Sequence, residues 1–423
     1  MASPGQKNRP ESGASTFASF GVPAFRIIWF GTFVYYLSIF TGLIARGALA
    51  KELGGTNTAL GVVTLAFGGV SLACTPVGGV LADRVPKRKI LLGSTSLLAL
   101  SSAWLGFTEL FEVTEFWMLI AVSAIQAVAF ALLLPARMAF TAEIVGPKLI
   151  PNAVALAQVS LNFNRVLGPA LAGVMLGIAW LSFRAIYLSA AALALLAVFC
   201  FAFLGPGEPD RSRPPRNPVA ELKEGVSYAW SSDTIRPVVI LAIAITMIGF
   251  PYVAFLPSVS EDFFDAGPEG YATLSLVGAL GGLGAGLLVA RAPLASGRTI
   301  QFWSAIGIGV SLLFLGFSPS FFSAGVAAML LGGATAGFQA MNGTLALSNS
   351  DPAFHGRIQS LLGLGFSAFG LASLPIGIVA DAVGLDVTLA GMGVLVVVVA
   401  GAVQLWWSGR ETRTETAQAA RTP

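Results

Sequence analysis

Long apolar runs dominate the chain, and each has the length of a membrane helix. A span of the bilayer core needs about 20 largely apolar residues. About twelve such runs can be marked, and a polar break divides them into two sets of six. The pattern predicts an all-α membrane protein with 12 transmembrane helices in two six-helix bundles. The runs lie at about 25–50, 57–82, 89–109, 115–144, 151–178, 183–204, 237–260, 270–291, 299–318, 320–348, 355–382 and 386–408.

The polar break between the two sets differs in kind from the other loops. Residues 205–235 are rich in Pro, Arg and Glu, which is typical of a solvated linker. Its second part, Pro218 to Ser231, can form an amphipathic surface helix. The predicted domains are therefore a cytoplasmic tail (1–22), an N-terminal bundle (23–204), a cytoplasmic linker (205–235), a C-terminal bundle (236–409) and a second cytoplasmic tail (410–423).

The basic residues orient these spans. If the spans alternate, nearly all Lys and Arg outside the membrane fall on one side, and Lys51 and Arg184 are the clear exceptions. The positive-inside rule places that side in the cytoplasm. We therefore expect a multi-pass protein of the cytoplasmic (inner) membrane with both termini inside. The basic residues on this side are Lys7, Arg9, Arg26, Arg84, Lys87, Arg88, Lys89, Lys148, Arg211, Arg213, Arg216, Lys223, Arg236, Arg291, Arg298, Arg357, Arg410, Arg413 and Arg421.

Composition narrows the chemistry. Hydrophobic residues make up 55% of the 423 residues and charged residues only 11%, whereas a soluble domain carries about 25% charged residues. The single histidine, His355, and two cysteines in apolar runs, Cys74 and Cys200, offer no metal site. No phosphate-binding Gly-rich loop occurs. We therefore expect no cofactor, no metal, no nucleic-acid partner and no enzymatic activity.

A short motif follows the second span: Gly79-Val-Leu-Ala-Asp83-Arg84-Val-Pro86-Lys87-Arg88-Lys89. It resembles the signature loop of the major facilitator superfamily, Gly-x-x-x-Asp-Arg-x-Gly-x-Arg-Arg/Lys, with Pro86 where the family usually has Gly. The resemblance implies the major facilitator fold. It also implies that Asp83 and the arginines hold the two bundles together on the cytoplasmic side in the outward-open state. The matched positions are Gly79, Asp83, Arg84, Arg88 and Lys89.

Two further features bear on this loop. Its glycine is expected to allow close backbone approach between helices, and Glu143 at the cytoplasmic end of the fourth span is expected to pair with Arg84 or Arg88. A weaker copy of the motif at 286–293 has Ala290 in place of the acid.

A second motif lies in the fifth span, where Gly168-Pro169-Ala-Leu-Ala-Gly173 follows Asn162-Phe-Asn164-Arg165. Pro169 removes a backbone hydrogen bond and the glycines permit close helix contact. The pattern resembles the Gly-Pro-x-x-Gly-Gly antiporter motif of exporters in the superfamily. With Pro135-Ala-Arg137 in the fourth span, it is similar to the branch of macrolide-efflux permeases and enterobactin exporters.

Arg165 is the strongest candidate for a binding residue. It lies about 14 residues into its span, roughly 21 Å along it, and it is taken as the only basic residue well inside a span. A charge at that depth costs at least ~2.5 kcal/mol and needs an interior partner. Either it binds solute in a central cavity, or it bonds to carbonyls or amides within the bundle. Arg46, nearer the outer end of the first span, is expected to extend outward to the membrane surface.

The remaining candidates are polar side chains within the spans, and each can also serve only in helix–helix hydrogen bonds. As a set they predict a mostly apolar cavity with scattered amides, which suits an amphipathic or lipophilic solute. They are Tyr35, Tyr36, Gln126, Asn162, Asn164, Gln339 and Asn342.

These observations favour a secondary transporter of a small drug- or siderophore-like solute, working by alternating access. The resemblance implies export, with H⁺ as the expected coupling ion, from a monomer in the lipid bilayer. No Asp or Glu lies in the middle third of any span, so the usual mid-membrane carboxylate for proton coupling is missing. A lipid or lysophospholipid flippase on the same fold is the alternative. A membrane enzyme lacks the necessary side-chain constellation, and a channel lacks a charged ring or filter.

Overall fold

The computed structural model describes residues 17–178, 182–208, 218–351 and 354–419, so the tail 1–16 and part of the linker, 209–217, lie outside the described residues. Long apolar helices form because membrane backbone must satisfy its hydrogen bonds internally. The N-terminal half of the described chain contains six of them. They are α1 (Pro23–Gly54), α2 (Asn57–Arg84), α3 (Lys87–Leu110), α4 (Phe116–Val145), α5 (Ile150–Leu176) and α6 (Phe183–Ala202).

The linker contributes a short helix, and six spans follow it. The seventh span is broken at Phe250 and Pro251 into two helices, since proline lacks the backbone N–H that would continue the first. The helices are α7 (Pro218–Ser231) in the linker, then α8 (Ile235–Gly249), α9 (Tyr252–Phe264), α10 (Gly267–Val289), α11 (Gly297–Gly316), α12 (Phe321–Ser348), α13 (His355–Val383) and α14 (Leu385–Ala419).

The predicted all-α membrane fold is confirmed. Within the described residues, 11 helical segments are long and apolar enough to cross a membrane, with α8 and α9 forming one of them. Helix α5 lies fifth in the chain and completes the predicted twelve spans. It is 27 residues long, but its amides and Arg165 make it less apolar than the others. The span that is hardest to recognise from hydropathy is therefore the one that carries the candidate binding residue.

Local capping fixes where the spans begin and end on the outer face, which we name from the predicted orientation. Gly55 adopts φ +67° directly after α1, a left-handed conformation that glycine tolerates best. Thr56 then caps α2 by accepting from the backbone N–H of Ala59. The turn between the first two spans is thus short and well defined.

The two halves meet along two helix pairs. Helix α2 packs against α13, and α5 packs against α10. The largest apolar cluster crosses this interface near the outer face, joining Ile44 and Leu49 of α1 to Phe255 of α9 and Leu274 of α10. The outer part of the interface is therefore a continuous apolar core.

Helix α7 docks on the C-terminal half. Glu224 forms an ion pair with Arg357 at 2.9 Å, and the ring of Tyr228 stacks on Phe354 at a centroid distance of 4.0 Å. The Tyr228 hydroxyl also accepts a hydrogen bond from the backbone N–H of Asp351 at 2.9 Å. The second part of the linker is thus attached to the cytoplasmic end of α13.

Candidate transport site between the two halves

Helix α5 is wedged between the two halves by its small residues. A Cβ added at Gly168 would lie 2.4 Å from the Cβ of Phe40 in α1, so only glycine fits this crossing. A Cβ added at Gly173 would lie 3.1 Å from the Cβ of Ala272 in α10, and Pro169 is buried beside these contacts. The exporter-like motif therefore positions the polar part of α5 at the interface of the halves.

Arg165 lies at this interface. Tyr36 of α1 and Tyr252 of α9, one from each half, lie close to it. Tyr252 is held beside Thr335 of α12. Arg165 keeps part of its surface exposed, and it forms no hydrogen bond or ion pair with any described residue. Its donors are therefore available to a bound molecule.

The two asparagines beside Arg165 do not share its hydrogen bonds. Asn164 is fully buried and donates to the carbonyl of Ser160, one turn earlier, at 3.0 Å. Asn162 is partly exposed and accepts from Gln158 at 3.3 Å. Because Asn164 faces the bundle interior, its prediction as a cavity residue is wrong for this state, whereas Asn162 remains a candidate.

Tyr35 and Tyr36 face different surroundings although they are adjacent. Tyr35 is 0% exposed within the apolar core of the N-terminal half, so it does not line a cavity as predicted. Tyr36 is 4% exposed, but its ring faces the Arg137 guanidinium at 5.8 Å, and it lies close to Arg165. Consecutive helical residues point about 100° apart, which puts only one of the two tyrosines against the arginines.

Gln126 has a different role from the predicted one. Its Oε1 accepts a hydrogen bond from Arg46 at 2.8 Å, and Arg46 also lies over the ring of Phe67 at 5.3 Å. Arg46 is only 7% exposed, so the expected extension to the membrane surface is wrong. An amide acceptor and an aromatic face hold it inside the half instead.

The two polar candidates of α12, Gln339 and Asn342, also have different surroundings. Asn342 is buried, and its Oδ1 accepts from Gln301 of α11 at 2.6 Å, which is a bond between helices of one half. Gln339, one turn away, is partly exposed and forms no hydrogen bond with a described residue. Asn342 is thus a packing residue in this state, and Gln339 is the one free to meet a solute.

Sequence reasoning missed a third arginine. Arg137 of α4 lines a small cleft that opens between α1, α4 and α5, so Arg165 is not the only basic residue within the spans. The signal was present in the Pro135-Ala-Arg137 segment of the fourth span. The cleft is lined by Phe25, Ile28, Trp29, Thr32, Arg137, Thr141, Ala157 and Ser160.

Comparison with known proteins identifies this arrangement. The sequence profile of the Major Facilitator Superfamily matches residues 28–302. The chain belongs to the Major Facilitator Superfamily. It is a multi-pass membrane transporter, and the predicted major facilitator fold and family are confirmed.

Its relatives include efflux proteins. Macrolide efflux protein A of Streptococcus pyogenes is 24% identical over 334 residues, covering 77% of this chain and 81% of that protein. The enterobactin exporter EntS of Shigella boydii serotype 18 is 24% identical over 345 residues, covering 80% of each. A crystal structure of a POT family transporter in complex with 5-aminolevulinic acid superimposes with a TM-score of 0.77 at 11% identity, covering 92% of this chain and 96% of that one.

In this superfamily member the outer ends of the halves are joined by a polar contact that we call the outer latch. Asp381 of α13 accepts hydrogen bonds from the backbone N–H groups of Asn57 and Thr58, each at 2.8 Å. These are the first N–H groups of α2, which have no partner within the helix. Lys51 of α1 adds an ion pair with Asp262 of α9 at 2.8 Å. Both contacts join the N-terminal half to the C-terminal half.

Glycines bring α2 and α13 together below the latch. A Cβ at Gly377 would lie 2.5 Å from the Asn57 carbonyl oxygen, and one at Gly61 would lie 2.7 Å from that of Ser373. A Cβ at Gly370 would lie 2.6 Å from the Cα of Gly68. Further toward the cytoplasm, Val77 is 57% exposed. The close glycine contacts between the two helices therefore lie in their middle and outer parts.

The cytoplasmic loop of the signature motif binds its own half. Lys87 forms an ion pair with Glu143 of α4 at 2.9 Å, so the expected partner of Glu143 was wrong: it is neither Arg84 nor Arg88. The Arg88 side chain donates to the carbonyl of Ala202 at the end of α6. Among the described residues, the side chains of Asp83, Arg84 and Lys89 form no ion pair or hydrogen bond.

The glycine that permits close approach in this region is Gly78. A Cβ there would lie 2.3 Å from the carbonyl oxygen of Ala131 in α4, whereas Gly79 has open space. The prediction for Gly79 is therefore wrong in this state, because the helix turns its neighbour toward α4. The hydrogen bonds and ion pair that join the halves within the described residues lie at one end, which is the outer end in the predicted orientation. In that orientation, the arrangement is inward-facing.

Proposed function

We propose that the chain exports a small amphipathic or lipophilic solute, drug- or siderophore-like, by alternating access. Arg165 carries this proposal, because it lies between the halves with unused hydrogen-bond donors and no buried acid to neutralise it. A charge within a span is costly, so an arginine at this depth usually belongs to a functional site. The two relatives named for efflux support outward transport.

The site is proposed to comprise Arg165 with Asn162, Gln339 and the Tyr36 and Tyr252 phenols. Tyr36 and Asn162 belong to the N-terminal half, while Tyr252 and Gln339 belong to the C-terminal half. A solute bound here contacts both halves at once. A rocking motion about the site then exposes the solute to one face of the membrane at a time.

Arg165 substitutions test the site. Arg165→Ala removes the guanidinium and should lose most solute affinity. Arg165→Lys keeps the charge without the planar fork and should keep part of it. The measurement is affinity for a fluorescent lipophilic solute that the wild type transports, with detergent monodispersity as the folding control. Normal binding by a well-folded Ala variant would show that Arg165 is structural.

Protons are the proposed coupling ion. A coupled proton needs a group to carry it, and no Asp or Glu lies in the middle third of any span. A panel of fluorescent solutes in proteoliposomes with imposed pH gradients tests this directly. Solute movement that follows the pH gradient supports proton exchange, and movement that ignores it contradicts it. Movement of labelled phospholipid in place of every soluble solute would favour the flippase alternative.

The protein is proposed to lie in the cytoplasmic membrane with its termini and linker inside. The one-sided basic residues support this orientation. Ser227 of α7 is exposed, so a cysteine placed there should resist an impermeant maleimide in intact cells and react after permeabilisation. Labelling in intact cells would reverse the orientation.

A further inference from the structure

Three arginines lie at three depths in the N-terminal half. Arg137 lies eight residues from the cytoplasmic end of α4, about 12 Å along it. Arg165 lies 15 residues from the cytoplasmic start of α5, about 22 Å along it. Arg46 lies eight residues from the outer end of α1, about 12 Å below it. The order from cytoplasm to outside is therefore Arg137, Arg165, Arg46.

No acidic residue of the described chain neutralises any of these arginines. Their partners are aromatic faces, phenols and one amide: Phe67 and Gln126 for Arg46, and Tyr36 for Arg137. Such groups soften the cost of burying a cation without cancelling its charge. The N-terminal half therefore keeps a net positive interior.

The cleft at Arg137 contains polar atoms that lack partners. The Arg137 Nε and the Ser160 hydroxyl are both buried, and neither has a hydrogen-bond partner among the described residues. Both residues line the same cleft, between α4 and α5. Unsatisfied buried donors are costly and call for an explanation in a native structure. An oxyanion in the cleft satisfies both donors and supplies the missing negative charge.

Only the acid group of such an anion fits the cleft, because the free space is about that of one water molecule. Phe25, Ile28 and Trp29 line it beside the two donors. Because the outer latch is closed in this state, the cytoplasmic side is the side of access. Arg137 is thus the first of the three arginines that a solute from the cytoplasm meets, and the Tyr36 ring links it to Arg165.

We propose that Arg137, with Ser160 and Tyr36, forms an anion-binding site on the cytoplasmic side of Arg165, and that the solute is an amphipathic organic acid bearing a carboxylate, sulfonate or phosphate. This inference rests on the proposed transport function and adds the charge of the solute to it. The positive arginines select the acid group of the solute.

A pair of probes that differ only in the acid group tests the site. 1-Anilinonaphthalene-8-sulfonate carries a sulfonate, and N-phenyl-1-naphthylamine is the same molecule without it. Binding is measured with the full-length protein in zwitterionic nanodiscs, from quenching of tryptophan fluorescence, with empty nanodiscs as the baseline. Transport is measured separately in proteoliposomes with an imposed membrane potential.

The wild type should bind the sulfonate at least tenfold more tightly than the neutral probe. Arg137→Gln should weaken sulfonate binding about tenfold or more and change neutral binding by less than about twofold, since a charged hydrogen-bonded contact is lost. Arg137→Lys should retain part of the affinity, and Ser160→Ala should lose about two- to fivefold. Arg184→Gln removes an arginine at the outer end of α6 and is the matched control. Melting temperature verifies the fold of each variant.

The outcomes separate the two proposals. Equal binding of both probes by the wild type, or equal losses of both in Arg137→Gln, overturns the anion site and leaves the transport function standing. Binding of the sulfonate without transport of either probe counts against the transport function alone. Addition of phosphatidylglycerol to the nanodiscs distinguishes the source of the anion: competition with the sulfonate assigns the site to a lipid headgroup, and its absence assigns it to a soluble acid.

Discussion

Each end of the α2–α13 helix pair carries an aspartate, but only the aspartate at the outer end forms hydrogen bonds. At the outer end, Asp381 of α13 accepts from the first two N–H groups of α2, and glycines hold the helices together. At the cytoplasmic end, the Asp83 side chain of α2 forms no hydrogen bond or ion pair with a described residue. An acid stands at each end of the pair, but only the outer one is engaged.

The difference between the two ends indicates how the α2–α13 helix pair can switch between two states. An acid at a helix N-terminus contributes about 0.3–1 kcal/mol when exposed, and an exposed ion pair such as Lys51–Asp262 adds about 0–1 kcal/mol. These contributions are small enough to break in each cycle. Because about 1.4 kcal/mol changes a population ratio tenfold, they are also large enough to bias which end is closed.

The largest effect is expected at the glycine contact. Gly377→Ala places a Cβ 2.5 Å from the Asn57 carbonyl oxygen, which forces the helices apart, and overpacking of this kind costs about 1–3 kcal/mol. Transport should fall at least about tenfold. Gly363→Ala on the same helix, where a Cβ meets nothing within 4 Å, is the control and should remain active. Equal activity of the two variants would mean that outer closure does not depend on this contact.

A smaller effect is expected at the cytoplasmic end. Asp83→Asn removes no contact of the structure described here, so solute affinity in this state should be unchanged. If Asp83 joins the halves when the cytoplasmic side closes, turnover should fall by about five- to tenfold, which corresponds to the loss of one hydrogen bond of about 1–1.4 kcal/mol. Affinity and turnover are measured on one preparation. A collapse of binding with normal turnover of bound solute would remove Asp83 from the cytoplasmic closure.

The smallest effect is expected at the outer latch. Asp381→Asn weakens an exposed helix cap, and about 0.3–1 kcal/mol corresponds to a two- to fivefold shift toward the outward-open state. Reactivity of a cysteine at the exposed outer position Glu52 should rise by that factor. Asp386→Asn lies at the same end of the C-terminal half and is the control. A shift toward the inward-facing state would contradict the latch.

Hydropathy and charge predicted the fold because both are read along the chain. Twelve spans and a central linker follow from apolar runs and from the composition of residues 205–235. Helix α5 shows the limit of this reasoning. It is long enough to span the membrane, but its polar residues lower its mean hydropathy below that of the other spans.

The site was less predictable because the spans are apolar on most faces. Nothing in the sequence separates Tyr35 from Tyr36 or Gly79 from Gly78, yet one member of each pair faces a different helix from the other. Arg46 meets Gln126, 80 residues away, and such a contact is set by helix packing. Arg165 was recognised because its depth in a span follows from position alone, whereas Arg137, eight residues from the end of its span, was missed.

The central claim is that the two ends of the transporter close in alternation around the arginine site. Spin-label pairs at exposed positions test it: Glu52 with Glu269 across the outer end, and Lys148 with Arg291 across the cytoplasmic end. Distances are measured in nanodiscs in a background lacking Cys74 and Cys200. Asp381→Asn should lengthen the outer distance and shorten the cytoplasmic distance in matching populations. A change at the outer end with no change at the cytoplasmic end would contradict alternating access in this protein.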